Sequence, residues 1–409
     1  MTEARVFYFN PTCELAVANG SFSYMPPLLL QEMETDLSIL PLVFAGANDF
    51  ILSPTIPSSE FISQLKDVGF ELPNFRTLPE LESLPDRSIH SLFPWGWSPA
   101  AHFILKNLKQ KCSDEFKLSP VFEWNDFSRK LFERKTALSF LSGLLKKEHL
   151  EWFVSNDQIG RVITNCEQVE EFLPHQNGVV LKAPLSSSGR GIQIIRKQTL
   201  NASNRQWISG VLKQQLYLIV EPFLDKVADL SFQFFIRYQS EVDYLGYSFF
   251  ETNSNGQYKG TLINPDLQDI FPDIETSGIE KMLQSTAQIL TRALKSSNYF
   301  SNYDGYLGVD ALIFRENNEI KIQPCLEINC RMNMGILALL LARKVHPDSK
   351  GKFMLFYGAP GEYLNLVNEQ NNCYPLKVVE NKLMQGFLSL TEPGNKTKFG
   401  AYISLGEAR

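Results

Sequence analysis

The stretch LGVDALIFRENNEIKIQPCLEINCR, residues 307–331, decides the fold. Two runs rich in aliphatic residues flank Asn317 and Asn318, and asparagines at such a point are typical of a tight turn. The stretch therefore predicts a hairpin of two strands. The turn can bring Asp310 on the first strand opposite Glu327 on the second.

The end of this stretch carries three polar side chains in alternation. Because successive side chains of a strand point to opposite faces, Glu327, Asn329 and Arg331 share one face if the strand stays extended. Together with Asp310 they offer two carboxylates and an amide oxygen, which suit Mg²⁺. An ordinary solvated sheet face explains the same residues, and the hairpin alone leaves both interpretations open.

A loop rich in serine and glycine lies earlier, in VVLKAPLSSSGRGIQII, residues 179–195. It follows a strand that carries Lys182. Glycines let backbone N–H groups approach phosphates, and a lysine neutralises their charge. Because the loop runs from strand to strand, it is neither a Walker A motif nor a Rossmann fingerprint. Taken alone, an ordinary hairpin loop is the better explanation.

The third segment is LIVEPFLDKVADLSF, residues 218–232, in which an apolar strand ends at Glu221 and a second begins after Asp229. A plain linker between two lobes explains it equally well. In their order and spacing, however, the three segments resemble the ATP-grasp superfamily over roughly residues 125–345.

That resemblance implies a mixed α/β and α+β chain, in which two α+β lobes sandwich ATP behind a Rossmann-like N-terminal domain. The implied domains are the Rossmann-like domain, a small lobe with the phosphate loop, a large lobe with the Mg²⁺ site, and a C-terminal strand and turn extension that packs on the large lobe. Their boundaries are 1–124, 125–224, 225–345 and 346–409.

The resemblance also implies which residues contact the nucleotide. Lys182 resembles the phosphate-binding lysine, Glu221 the acid that faces the adenine amino group, and Asp229 the ribose acid. An earlier lysine is expected on the preceding helix, where Lys135 is favoured and Lys130 fits as well. The full nucleotide set is Lys135, Lys182, Ser187, Ser188, Gly189, Arg190, Gly191, Glu221, Phe223, Leu224 and Asp229. Arg190 departs from the most glycine-rich versions of the loop.

By the same resemblance, Asp310, Glu327 and Asn329 hold Mg²⁺, and Arg331 with Lys182 acts on the transferring group. The implied activity is that of an ADP-forming ligase, in which a substrate carboxylate becomes an acylphosphate that an amine or thiol attacks. A small-molecule kinase and a nucleotide-binding protein without ligase activity are the alternatives. The intact metal set argues against the latter.

The N-terminal third contains FNPTCELAVANGSFSYMPP, residues 9–27. Its candidate residues, Asn10, Glu14, Asn19 and Tyr24, follow a predicted strand, where ligands bind in open α/β sheets. A capped turn explains them slightly better. Trp95 and Trp97 either cover a substrate or pack between lobes, and His102 is expected to be a packing or surface residue. This third resembles no familiar substrate domain, so the substrate stays open.

Composition excludes several classes of function. The net charge of −6 gives no basic bias toward nucleic acid. No apolar run is long enough for a membrane span, and the N-terminus lacks a secretion signal pattern. The six cysteines form no C-x-x-C pair, so they are expected to be reduced thiols of a cytoplasmic protein. Small-molecule partners and a possible homodimer are expected. Tyr258, Lys259 and Asn264 are weak substrate-contact candidates.

Overall fold

The structure is a computed structural model that describes residues 4–186, 191–253 and 257–406. Ser187, Ser188, Gly189 and Arg190 of the predicted phosphate loop lie outside the described residues. The same holds for residues 254–256.

The N-terminal unit is a four-stranded parallel sheet in the order β3-β2-β1-β4, with helices between its strands. This confirms the prediction of a Rossmann-like unit. Its strands are β1 (Ala4–Tyr8), β2 (Phe50–Leu52), β3 (Asn74–Arg76) and β4 (Ile89–Pro94). Its helices are α1 (Cys13–Asn19), α2 (Leu28–Asp36), α3 (Ser59–Asp67), α4 (Leu78–Glu82), α5 (Pro99–Ile104), α6 (Lys106–Lys109) and α7 (Asp114–Lys117).

A second, antiparallel sheet of four strands follows, in the order β5-β8-β6-β7. Its strands are β5 (Arg161–Ile163), β6 (Val179–Lys182), β7 (Ile192–Ile195) and β8 (Leu218–Pro222). The helices of this region are α8 (Asp126–Leu131), α9 (Arg134–Lys147), α10 (Cys166–Phe172) and α11 (Ala202–Gln215). The buried residues of the sheet, α10 and α11 form a core of their own.

The third sheet has nine strands in the order β13-β12-β9-β10-β11-β14-β17-β16-β15. Its first strands are β9 (Asp225–Arg237), β10 (Glu241–Thr252), β11 (Tyr258–Ile263), β12 (Gly305–Glu316) and β13 (Glu319–Asn329). Helices α12 (Leu267–Ile270), α13 (Thr276–Lys295), α14 (Asn298–Asn302) and α15 (Met334–Ala342) accompany them. Helix α9 packs against β13 and shares the core of this sheet. The predicted domain boundary at residue 125 stays a prediction.

The C-terminal segment extends this sheet. It contributes β14 (Gly351–Tyr357), β15 (Lys377–Val379), β16 (Lys382–Ser389) and β17 (Phe399–Leu405), together with α16 (Glu362–Cys373). The sequence predicts only strands and turns in this segment. Helix α16 was not predicted because it is mostly polar and buries only Tyr363 and Val367.

The hairpin of β12 and β13 confirms the prediction made from residues 307–331. Asn317 and Asn318 both have positive φ, at +49° and +66°, which is the requirement of a type I′ turn. The register pairs Asp310 with Glu327 and Gly308 with Asn329. Among the described residues, no helix is both long and apolar enough to cross a membrane.

Candidate active site

Acidic and polar side chains line one face of the nine-stranded sheet near β13. Asp310 pairs with Glu327 on one side and with Ser231 on the other. Asp229 lies two residues before Ser231 on β9, and Asn329 lies two residues after Glu327 on β13. Because side chains alternate along a strand, all five residues face the same side of the sheet.

A chain of hydrogen bonds connects three of the predicted residues. The Nδ2 of Asn329 donates to Oδ2 of Asp310 at 2.9 Å, and Nη2 of Arg331 donates to Oδ1 of Asn329 at 3.2 Å. Burial, and after it the charge of Glu327, raises the pKa of Asp310 to about 6. A bound cation favours the ionised carboxylate, so it would reverse this shift.

Arg134, which the sequence analysis did not single out, connects Glu327 to the start of the phosphate loop. Its Nη2 lies 2.9 Å from Oε1 and 3.0 Å from Oε2 of Glu327. Its Nη1 donates to the carbonyl of Ala183 at 2.5 Å and to Oγ of Ser186 at 2.7 Å. Only 5% of Arg134 is exposed. A buried guanidinium with this set of acceptors is fixed in place.

The structure does not bring Lys135 or Lys130 to this cluster. Lys135 is 47% exposed at its side chain and pairs with Glu133 at 2.8 Å. Lys130 lies over the ring of Phe127. Consecutive residues of a helix point about 100° apart, so only one of the cations at the start of α9 can face the sheet. That residue is Arg134, whereas the ammonium of Lys135 lies 4.9 Å from the ring centroid of Tyr217. The predicted nucleotide contact of Lys135 stays a prediction.

Lys182 and Glu221 form an ion pair on the second sheet. The Nζ of Lys182 lies 2.6 Å from Oε2 of Glu221, and both side chains are largely buried. They lie diagonally across the antiparallel strands β6 and β8, since Val180 is the direct partner of Glu221. The two residues assigned to phosphate and adenine therefore share one face.

The base of the phosphate loop is closed by its backbone. The N–H of Ala183 donates to the carbonyl of Gly191 at 2.8 Å. A Cβ added at Gly191 would lie 2.3 Å from Cβ of Ser186, so the position has no room for a side chain. Gly191 is thus a close-packed anchor at the described end of the loop.

The predicted adenine and ribose contacts have partners of their own. The backbone N–H of Phe223 donates to the carbonyl of Gly178 at 2.9 Å, which removes this donor from ligand binding. The predicted nucleotide contacts of Phe223 and Leu224 stay predictions. Asp229 accepts hydrogen bonds from Lys226 at 2.6 Å and from Thr252 at 2.8 Å.

The N-terminal unit contributes Glu14 to the cluster. The Nε of Arg331 donates to Oε1 of Glu14 at 2.9 Å, and both side chains are mostly buried. Burial disfavours the charge of Arg331, but Glu14, Cys13 and Asp310 together more than offset this and raise the pKa of the arginine. Glu14 lies in the first turn of α1, which follows the carboxyl end of β1. It is one of the four candidate residues predicted from this part of the sequence.

The turn that follows β4, at Trp95 and Gly96, holds the N-terminal unit against the end of β13. The Nδ2 of Asn10 donates to the carbonyl of Gly96 at 2.8 Å, and the N–H of Met332 donates to the carbonyl of Trp95 at 2.8 Å. A Cβ added at Gly96 would lie 3.1 Å from Cβ of Arg331. Trp95 and Trp97 are buried, so they do not form an exposed cover. Their rings pack against Phe9 and Phe44, and against His102 and Phe116.

Other candidates have structural roles. Tyr258 hydrogen-bonds Thr261 at 2.8 Å, and Asn264 donates to the carbonyls of His346 and Ser349. Lys259 is exposed on β11. Cys325 and Cys330 are buried, and burial raises the pKa of both thiols, so they are unreactive packing residues.

A network of buried side chains supports the metal candidates from behind. The Nδ2 of Asn333 donates to Oε1 of Gln233 at 2.9 Å, and Oδ1 of Asn333 caps α15. The Nε2 of Gln233 donates to Oγ of Ser248 at 3.2 Å. A Cβ at Gly308 would lie 2.4 Å from Nδ2 of Asn333, and one at Gly335 would lie 2.3 Å from Nε2 of Gln233. Both glycines are required by close packing.

The donor set fits Mg²⁺ better than a metal held by protein alone. Among the residues described, no group of three or more His, Cys, Asp or Glu side chains is placed to hold a metal. Asp310 and Glu327 with the amide of Asn329 are two carboxylates and one neutral oxygen. Mg²⁺ commonly takes one or two carboxylates and completes its shell with phosphate oxygens and water. The residues therefore fit a metal that arrives with a phosphate ligand.

Comparisons with known proteins bear on the fold. No protein-family model matches the chain, and no curated protein matches it. Among solved structures, a biotin carboxylase in a β,γ-ATP complex from Campylobacter jejuni superposes with a TM-score of 0.52 at 12% identity, covering 100% of this chain and 88% of that one. An ADP complex of purK, the N5-carboxyaminoimidazole ribonucleotide synthetase, gives 0.50 at 13% identity, covering 100% and 95%. The chain has the ATP-grasp fold that these structures share.

Proposed function

We propose that the protein is an ADP-forming ligase that uses Mg²⁺ and ATP to convert a substrate carboxylate into an acylphosphate, which an amine or thiol then attacks. The similarity to the carboxylase and the synthetase supports the fold, and the residues of this chain support the chemistry. Both similar structures are described as nucleotide complexes.

The observation that carries the proposal is the contact of Arg134 with both halves of the site. It binds Glu327 on the nine-stranded sheet and Ala183 directly after Lys182 on the second sheet. The predicted nucleotide lysine and the predicted metal ligand are thereby joined through one buried cation. A nucleotide that binds between the two sheets needs its phosphate-binding residues and its metal-binding residues to lie close together.

Each residue has a distinct task in the proposed reaction. Lys182 and Arg134 neutralise phosphate charge, and Glu221 orients the base. Asp310 and Glu327, with the amide of Asn329, would hold Mg²⁺, which would supply positive charge against the negative charge that develops during transfer. The guanidinium of Arg331 stabilises the oxygens of the group that is transferred.

The acceptor side of the site includes the N-terminal unit. Glu14 holds the guanidinium of Arg331 in one orientation, next to Asn329. A carboxylate substrate that binds Arg331 therefore lies beside the proposed metal. Residues of β1 and α1 then form the wall that contacts the rest of the substrate.

The test is ADP release by the purified protein with MgATP and pooled acids and amines. We expect release that depends on both a carboxylate and an amine or thiol. Glu327→Gln should abolish it, while Glu319→Gln at the exposed start of β13 should not. Two results would contradict the proposal. One is ADP release without consumption of any acid, amine or thiol, and the other is activity that survives in Glu327→Gln.

A kinase is the second candidate, because the Mg²⁺ and phosphate residues serve phosphoryl transfer to any oxygen. The same assay separates the two. Release of ADP with a single acceptor, and a stable phosphorylated product, identifies a kinase. A product in which acid and amine are joined identifies the ligase.

Six free cysteines accord with a cytoplasmic enzyme.

A further inference from the structure

A cavity of about 680 Å³ opens on the N-terminal unit among α5, α6, α7 and the segment after α7. Three lysines, Lys106, Lys109 and Lys117, line it, and Glu123 is the one acid in its lining. The lining therefore has a formal charge of +2. None of these residues belongs to the proposed active site.

The positive charge in the cavity is only partly neutralised. Lys109 donates to the carbonyl of Phe122 and lies 3.4 Å from Glu123, and burial lowers the pKa of Lys109. Lys117 lies 3.1 Å from Asp114, which is largely exposed and outside the lining. Lys106 lies 4.6 Å from the ring centroid of Phe103, a contact that leaves its charge in place. A cavity with this field attracts anions.

His102 gives the cavity a buried polar group without a partner. It is 5% exposed, and its Nδ1 makes no hydrogen bond with the described residues. Burial, and after it Lys109, lowers the pKa of His102 to about 3, so the imidazole is neutral. The ring lies against Trp97 at 4.5 Å, which fixes its orientation. Buried polar atoms are normally paired, so this unpaired nitrogen is an unusual feature of the wall behind the cavity.

Aromatic side chains flank the charged lining. Phe22 and Phe103 both line the cavity and are about half exposed, at 52% and 50%. Phe122 lies under the ammonium of Lys109 at 4.8 Å. Exposed rings stack on planar ligands, whereas the lysines bind an acidic group.

We propose that this cavity binds a small aromatic anion, a planar ring that carries a carboxylate or a phosphate. Lys106 and Lys117 contact the acidic group, the exposed phenylalanines contact the ring, and His102 forms part of the wall. The site is separate from the nucleotide cluster and does not depend on the proposed function.

Tryptophan fluorescence tests the proposal, because Trp97 contacts His102. The full-length protein is titrated with phenyl phosphate, benzoate, inorganic phosphate and benzyl alcohol. We expect saturable binding of one aromatic anion, with inorganic phosphate and benzyl alcohol at least about tenfold weaker. The tighter of phenyl phosphate and benzoate identifies the acidic group.

Variants decide whether the binding occurs at this cavity. Lys106→Gln with Lys117→Gln should weaken binding about tenfold, because two charges near the ligand are lost. Lys146→Gln, at an exposed position of α9, should leave binding unchanged. The proposal is overturned by equal binding of benzyl alcohol, by an unaffected double variant, or by no saturation up to about 10 mM.

Discussion

Two neighbouring residues at the start of α9 have different environments. Arg134 is 5% exposed and binds Glu327, whereas the side chain of Lys135 is 47% exposed. Arg134→Ala removes the only cation that joins Glu327 to Ala183 among the described contacts. We expect it to lower ATP-dependent turnover by about 100-fold. Lys135→Ala is the matched control and should stay within about threefold. Steady-state kinetics measures both, and equal effects of the two variants would contradict the assignment.

The metal assignment is tested on β13. Glu327→Gln keeps the size of the side chain but removes a carboxylate from the proposed Mg²⁺ site. Turnover should fall by at least about 100-fold, because the metal neutralises charge in phosphoryl transfer. The variant also leaves the buried guanidinium of Arg134 without its carboxylate partner, so thermal unfolding should show a loss of stability. Turnover is therefore measured at a temperature at which the variant is folded, beside Glu319→Gln.

Burial of His102 makes the free energy of unfolding depend on pH. The pKa of its side chain falls from 6.5 to about 3 in the fold, mainly through burial. Between these values the unfolded chain binds a proton that the folded chain does not, so stability falls as the pH falls below about 6.5. At pH 4.5 the loss is about 2–3 kcal/mol.

Urea unfolding at pH 7.5 and pH 4.5 measures this contribution. The difference in stability between the two pH values should shrink by about 2–3 kcal/mol in His102→Gln, which removes the titrating group. His149→Gln, at an exposed position, should keep the wild-type difference. An unchanged pH dependence in His102→Gln would show that the imidazole is protonated in the fold.

At the scale of elements, the junction of β12, β9 and α15 depends on two glycines. Gly308→Ala or Gly335→Ala places a methyl group within 2.4 Å of the Asn333 and Gln233 side chains. We expect a loss of about 1–3 kcal/mol in the free energy of unfolding, because the buried network must move. Gly143→Ala on α9 has open space around it and should be neutral or stabilising by up to about 1 kcal/mol. Chemical denaturation compares the three.

The elements of the fold were predictable where periodicity and turn chemistry coincide. The alternation of β13 and the asparagine turn predicted the hairpin and its polar face, since both are local properties. Helix α16 was missed because it buries only two residues, which leaves little apolar periodicity. Local patterns cannot show which residue of α9 faces the sheet, and that is why Lys135 and Lys130 were considered while Arg134 was not singled out.

At the scale of the whole molecule, contacts between distant segments complete the site. Glu14 and Arg331 are 317 residues apart in sequence, and no local pattern pairs them. From the sequence alone, Glu14 is a polar residue that follows the first predicted strand, with no indication of its partner. Its partner depends on how the parallel sheet docks against the end of β13, which the turn at Gly96 determines.

This long-range pair predicts an energetic coupling between the N-terminal unit and the large sheet. The side chains of Glu14 and Arg331 are 9% and 19% exposed. Glu14→Gln and Arg331→Gln each leave a mostly buried charge without its partner, so each should destabilise by about 3 kcal/mol or more.

The double variant should lose clearly less than the sum, with a coupling of about 1–3 kcal/mol in urea unfolding. The exposed pair of Arg87 and Asp114, at 3.0 Å, serves as the control cycle and should give about 0–1 kcal/mol. Additive losses at Glu14 and Arg331 would show that this ion pair does not couple the two units. A coupling larger than that of the control shows that the pair joins the N-terminal unit to the large sheet.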